Sequence, residues 1–443
     1  MRRIAKGLVL IALITISVFF GITYYETYVN VPKKETNKNT NVSDTILLEN
    51  GNNKDKENSD LNNNNFNSFP KNCYETEDFY VNNLGGSQNE NLLDYFNIGN
   101  WIYVILQTDS QDGDFNTKYQ QLAIAKFDDM GNLLATQVLN TQQGEIYLHS
   151  TLNENGILVL TSSPTAKLYS ISLDLSYKTT SCDFSLENGF VYNNFYNTFI
   201  CGEINNRLGI YKLVDNKFEL SFGKQINYDF VPIELFSINN KHHLFYNDGH
   251  CGYVLTFDNF GFKTSVQLTV EPFAQVSPFE NGFAISTLLD YQSKFYLFDP
   301  DLNQNAKIDL GKCENLSFAV LDNGFFILLS GEIGHAFFVC KHGDVVLQDE
   351  RSFSLIREVC DIIKKGEKLE IIAKLSHDSF IKYTFDSKTN VIVESKNFYL
   401  PSAEKTVVFP VKNRIALFTQ TWAKTEIFQK NQGKNEIFLL IFK

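Results

Sequence analysis

Short apolar runs separated by turn residues recur along most of this chain, and several share one form, an apolar strand that ends in Asp and a tight turn. They read IAKFDDMGNLL around Asp128, YSISLDLSYKT around Asp174, IYKLVDNKFEL around Asp215 and VLTFDNFGFKT around Asp258. The series continues with FYLFDPDLNQN around Asp299, FFVCKHGDVVL around His342 and KYTFDSKTNVI around Asp386. Successive separations are 46, 41, 43, 41, 43 and 44 residues. Alternating apolar residues at a period near 43 predict the four-stranded blade of a β-propeller rather than a helical repeat. The Asp has a physical task, since its carboxylate accepts a backbone N–H two residues on and holds the hairpin turn.

Four strands fit within one period. The sixth unit supplies LSFAVLD, GFFILLS, HAFFVCK and DVVLQDE, and the fifth supplies FAQVSPF, GFAISTL, KFYLFDP and NAKIDLG in the same order. Counted this way there are eight units, beginning near Asn91, Ile146, Leu186, Ile233, Phe273, Leu316, Ile356 and Val407. The eighth supplies TVVFPV, RIALFTQ and EIFLLIF, and lacks the outermost strand. The segment NCYETEDFYVNN at 72–83 is expected to supply it and close the ring, leaving no long exposed edges. The expected fold is therefore all-β, an eight-bladed propeller over 71–443, with seven blades as the alternative.

Two segments precede the repeats. Residues 7–23, GLVLIALITISVFFGIT, carry no charge, follow Arg2, Arg3 and Lys6, and are followed by Tyr24 and Tyr25. Such a run predicts an uncleaved transmembrane signal anchor over 7–29, with residues 1–6 cytoplasmic and the propeller outside the cytoplasm. Neither an A-x-A-like site nor a lipobox Cys follows it. Residues 30–70 are rich in Asn, Lys, Asp and Glu, and bury too little apolar surface to fold. As a flexible, disordered linker they reach on the order of 35 Å.

Composition narrows the function classes. A net charge of -12 argues against a nucleic-acid partner, which needs clustered Lys and Arg. The 39 Phe and 21 Tyr favour strands. Seven Cys are an odd number and predict no disulfide framework. No G-x-S-x-G, Walker-type loop or H-E-x-x-H is present, and no cofactor is expected. Glu145, Glu234 and Glu358 lie near the starts of first strands, where carboxylate chemistry on glycans would place its acids; surface charge is the preferred reading. His250, His335 and His377 fall between second and third strands without spacing that completes a metal site. Asp299, Asp301, Asn303 and Asn305 alternate like calcium ligands, but lack a turn Gly and a distal Glu, so the turn reading is preferred.

The connection between second and third strands is short in most units and long in two, at 108–120 in the first and 419–434 in the eighth. These units are neighbours in a closed ring, so both loops rise on one face. The candidate binding residues are Asp109, Asp112, Asp114, Tyr119, Trp422, Lys424 and Phe428, because loops longer than a turn requires are where binding residues concentrate.

The repeated strand, Asp, turn, strand pattern resembles bacterial membrane-anchored β-propeller repeat proteins, in architecture alone. It lacks the Trp docking motifs of the eight-bladed quinoprotein dehydrogenases, since it holds just Trp101 and Trp422, and lacks the lipobox Cys of outer-membrane assembly propellers. The expected function is a membrane-tethered binding or scaffold module for a protein or glycan. The alternatives are a carboxylate-dependent glycan hydrolase and a structural subunit of a membrane complex.

Overall fold

The computed structural model describes residues 73–442, apart from 77–78, 86–87, 112–113, 116, 118, 163, 195–196, 205–206, 226–229, 239–240, 259–260, 281, 332–334, 350–355, 390, 401–402, 412–413 and 423–435. The expected anchor and linker lie outside the described residues. Among the described residues, no helix is long and apolar enough to cross a membrane.

Eight antiparallel sheets follow one another along the chain, seven of four strands and one of five. Blades 1 to 7 span 90–138, 146–181, 189–225, 231–269, 273–312, 315–349 and 358–399. The first strand of each blade lies beside the first strand of the next, which makes it the innermost. Blade 8 takes Ala403–Val411, Arg414–Thr421 and Glu436–Phe442 from the end of the chain, then Phe79–Leu84 and Cys73–Glu75 from its beginning. Phe79 pairs with Phe442, Val81 with Leu440 and Leu84 with Ile437. The segment before blade 1 therefore closes the ring as expected, but it forms a hairpin and contributes two strands where one was predicted. Thr76 makes the bend, its N–H donating to Phe79 O at 2.9 Å and its Oγ1 accepting from Phe79 N at 3.1 Å.

Each blade stands between two others, so its second strand is buried on both faces and must be apolar at odd and even positions alike. In Trp101–Thr108, Ile102, Val104 and Leu106 pack with blade 8 while Tyr103 and Ile105 pack with blade 2. Buried apolar side chains among the described residues fall into eight clusters, each between consecutive blades, the blade 8 to blade 1 interface included. Outer strands such as Gln304–Lys312 face solvent along most of their length.

The Asp turns form as the sequence predicts at four positions. Asp128 Oδ1 accepts from Met130 and Asn132 N–H, Asp299 Oδ1 from Asp301 and Asn303, and Asp386 Oδ1 from Lys388 and Thr389. Asp174 accepts from Ser172 and Ser176, which hold its carboxyl down at about 2. The calcium-like Asp299 carboxylate is thus engaged in its own hairpin. At Asp215 the solution differs, because Asp215 and Asn216 sit at φ 48° and 63°, the left-handed pair of a two-residue hairpin.

A second repeated device fastens the blades. Six of the eight inner strands shift register near the same place, and the residue after the shift is polar, giving Asp94, His149, Glu234, Gln275, Asp361 and Lys405. Several reach the next blade. Asp94 accepts from Tyr147 and Ser150 of blade 2, Gln275 exchanges two hydrogen bonds with the Phe318 backbone of blade 6, and Lys405 Nζ donates to Leu92 O of blade 1 at 2.8 Å. His149 stacks on Phe190 of blade 3 with centroids 3.7 Å apart. These contacts bridge neighbouring blades close to the inner strands.

Candidate functional site

Among the described residues, the blade 1 connection and the two ends of the blade 8 connection, Thr421 and Glu436, lie on the face at which the inner strands begin. The blade 1 loop folds down onto the link between the closing strand and the first inner strand. Asp109 Oδ1 accepts from Asn89 N at 2.8 Å, and Asp114 Oδ2 accepts from Gly85 N at 3.2 Å. Ser110 donates to the buried Glu90 carboxylate and accepts from Gln88 N at 3.1 Å. Tyr119 OH donates to Thr141 O at 2.6 Å, and Phe115 is buried in the blade 8 to blade 1 core. Burial pushes the Asp114 carboxyl up, and the Gly85 N–H offsets part of that push.

Asp109 and Asp114 therefore secure the point at which the ring closes, and Tyr119 instead fastens the loop to the link between blades 1 and 2; all three are half-buried, while Trp422 stands 55% exposed at the start of the blade 8 loop. Asp112, Lys424 and Phe428 lie outside the described residues. Of the histidines, His250 and His377 occupy the expected turns, and His335 opens the third strand of blade 6. His377 Nδ1 meets Asp378 Oδ1 at 2.6 Å, and Tyr399 OH donates to the other oxygen of Asp378.

Two of the acids near the starts of first strands, Glu145 and Glu234, have structural partners. Glu145 is buried and accepts from Lys167 Nζ at 2.7 Å, Tyr169 OH at 2.7 Å, Thr161 Oγ1 at 2.5 Å and Gln142 N at 2.8 Å. Burial opposes its charge, but these four donors outweigh burial and leave the carboxyl below the usual range. Blade 5 repeats the arrangement with Glu271, Lys294 and Tyr296, Tyr296 OH donating at 3.0 Å. Glu234 accepts from the N–H of Leu235 beside its bulge. The Lys-x-Tyr at the head of the third strand, Lys167 with Tyr169 and Lys294 with Tyr296, was a signal present in the sequence that the reading of repeats passed over.

What the sequence reading missed most is the distribution of exposed apolar side chains. On the face that carries the long loops stand Ile146, Val231, Val270, Tyr291, Tyr399 and Trp422, each more than 40% exposed. Tyr291 is 65% exposed and sits with Asp290 at φ 63° and 50° in the short turn of blade 5. The two form the left-handed pair of a two-residue hairpin between Leu289 and Gln292, as Asp215 and Asn216 do, at a cost of about 1 kcal/mol for a residue with a Cβ. The opposite face presents Trp101, Met130 and Leu173, and Lys126 Nζ lies 4.7 Å from the Trp101 ring centroid.

No protein-family model matches this sequence, and no match was found among curated proteins. Among solved structures the chain is similar to a dihydro-heme d1 dehydrogenase, at 12% identity over 68% of this chain and 66% of that one, with a TM-score of 0.46. It is similar to a prolyl endopeptidase at 8% identity over 75% and 55%, with a TM-score of 0.47. A europium-containing methanol dehydrogenase gives 7% identity over 82% and 93%, with a TM-score of 0.49. The chain spans 66% and 55% of the lengths of the first two. Likenesses this distant bear on architecture at most, and the eight-bladed assignment rests on the strand pairing itself.

Proposed function

We propose that this chain is a binding or scaffold module that docks a protein partner on the face bearing the long loops. The observation that carries the reading is the exposed set Ile146, Val231, Val270, Tyr291, Tyr399 and Trp422, which spreads over blades 2, 4, 5, 7 and 8 of one face. A sugar site gathers its aromatics at one place, whereas a protein interface distributes anchors over a broad patch and favours Trp and Tyr among them. Residues 7–29 tether the module to the membrane and residues 30–70 hold it clear of the surface, with the propeller outside the cytoplasm. The hydrolase alternative draws no support from Glu145 and Glu271, whose carboxylates are committed to Lys and Tyr partners.

A photo-crosslinking residue at Trp422, Tyr399 or Tyr291 of the full chain in its membrane is expected to capture one common protein, while the same residue at Trp101 does not. Equal capture from both faces, or none from the loop face, would remove the reading. Thiol labelling of single-Cys variants in intact cells checks the orientation, and labelling from the cytoplasmic side alone would reverse it.

A further inference from the structure

The face opposite the long loops carries a hydrogen-bond relay that docking does not use. Ser237, near the end of the inner strand Val231–Ile238 of blade 4, is the cross-strand partner of His242 in Lys241–Asn247. Ser237 Oγ and His242 Nδ1 are 2.6 Å apart. Tyr192, on the inner strand Gly189–Asn194 of blade 3, shares a hydrogen bond with the same Oγ. Ser237 is exposed, while His242 is buried.

The two halves of this arrangement have different physical roles. Phe257, Phe199 and Tyr192 surround the His242 ring with centroids at 5.0, 5.5 and 5.7 Å, which fixes its plane and keeps Nδ1 aimed at the serine. A hydroxyl is a weak nucleophile until a positioned base takes its proton, and hydroxyl to imidazole within hydrogen-bond reach is the geometry that permits this. The neighbouring residue provides an internal contrast. Alternation turns His243 to the opposite face of the strand, where Nδ1 meets Thr256 Oγ1 at 3.0 Å, but there both residues are buried.

We propose that Ser237 is a nucleophilic serine with His242 as its base and Tyr192 as the residue that positions its hydroxyl, reactive toward activated esters and phosphonates. In the tautomer with its proton on Nε2, His242 accepts at Nδ1. Ser237 Oγ attacks the carbonyl carbon or phosphorus, and its proton passes to Nδ1. The new bond to Oγ replaces the bond to the leaving group, which departs with the proton from the imidazolium. Water releases an acyl group by the same proton route and restores the serine.

The test uses the full chain, an alkyl fluorophosphonate probe and peptide mapping by mass spectrometry. The adduct is expected on Ser237, absent from Ser237→Ala, and absent from the buried Thr256. His242→Gln is expected to slow labelling about 100-fold, the lower range for loss of a general base, and Tyr192→Phe by less than that. Because His242 is buried, its replacement bears on the fold too, so the pH profile of wild-type labelling provides an independent readout. The rate is expected to rise through one ionisation to a plateau, as a single base requires. No adduct on Ser237 in the native protein, equal labelling in urea, or a rate flat until alkaline pH would each overturn the proposal.

Discussion

Phe79 tests whether ring closure holds this fold together. Its ring is buried against Phe442 and Phe398, with centroids 4.7 and 5.7 Å away, on the closing strand Phe79–Leu84. Phe79→Ala removes a fully enclosed aromatic, which costs about 4 kcal/mol in a core that cannot collapse to fill the space. Phe325→Ala, in the middle of blade 6 and equally buried, should lose a similar amount. The two variants should differ in their tendency to associate. Loosening Phe79 frees the edge of Glu436–Phe442, a strand whose seven residues are all buried, and an uncovered apolar edge pairs with other chains. Urea unfolding checks the stability loss, and light scattering over a concentration series checks association. Phe79→Ala and a chain beginning at residue 88 are expected to associate with rising concentration, and Phe325→Ala is not. If the chain lacking residues 1–87 stayed monomeric with an unchanged midpoint, closure by strand pairing would not be what stabilises the ring.

Buried charge and strained backbone yield three further expected outcomes. Burial, with Lys241 and His242 nearby, holds the His243 imidazole down at about 4. The fold therefore keeps it neutral where the unfolded chain protonates it, so stability is full above pH 6.5 and falls by about 3 kcal/mol as the pH drops to 4. His243→Asn, which keeps a partner for Thr256, should flatten that part of the pH dependence in chemical denaturation, and an unchanged slope would count against it. Glu145→Gln leaves the Lys167 ammonium buried without its counter-charge and should cost about 3 kcal/mol, with Glu145→Met plus Lys167→Met recovering part of the loss in the same measurement, since Thr161, Tyr169 and Gln142 still lose their acceptor. Tyr291→Gly relieves the left-handed backbone and should gain about 1 kcal/mol in thermal or urea unfolding while it weakens capture of the docking partner; a stability loss would contradict the strain argument.

The eight blades were legible because a propeller repeats one local solution. Each hairpin needs a turn, and Asp128, Asp174, Asp299 and Asp386 solve it within two to four residues of themselves, so period and turn chemistry sit together on the sequence. The closing segment was legible because blade 8 visibly ends one strand short. Its second strand, Cys73–Glu75, was not, since three residues are too few to display a period. The blade 1 loop lies against the closing link, but a loop's length does not say whether it stands open or folds down. Asp109 and Asp114 bind the backbone of Asn89 and Gly85, a fact fixed by how the two ends of the domain meet.

Sequence alone thus determined what depends on neighbours along the chain, namely strand period, blade count and turn residues. Tertiary structure decided what depends on partners far apart in sequence but adjacent around the ring. It joined Asp94 to Ser150, Gln275 to Phe318, Lys405 to Leu92 and Ser237 to Tyr192, and gathered Tyr291, Tyr399 and Trp422 on one face. The reason is geometric. A strand's own alternation specifies which two sides its residues take, while the neighbour on each side is chosen when the circle closes.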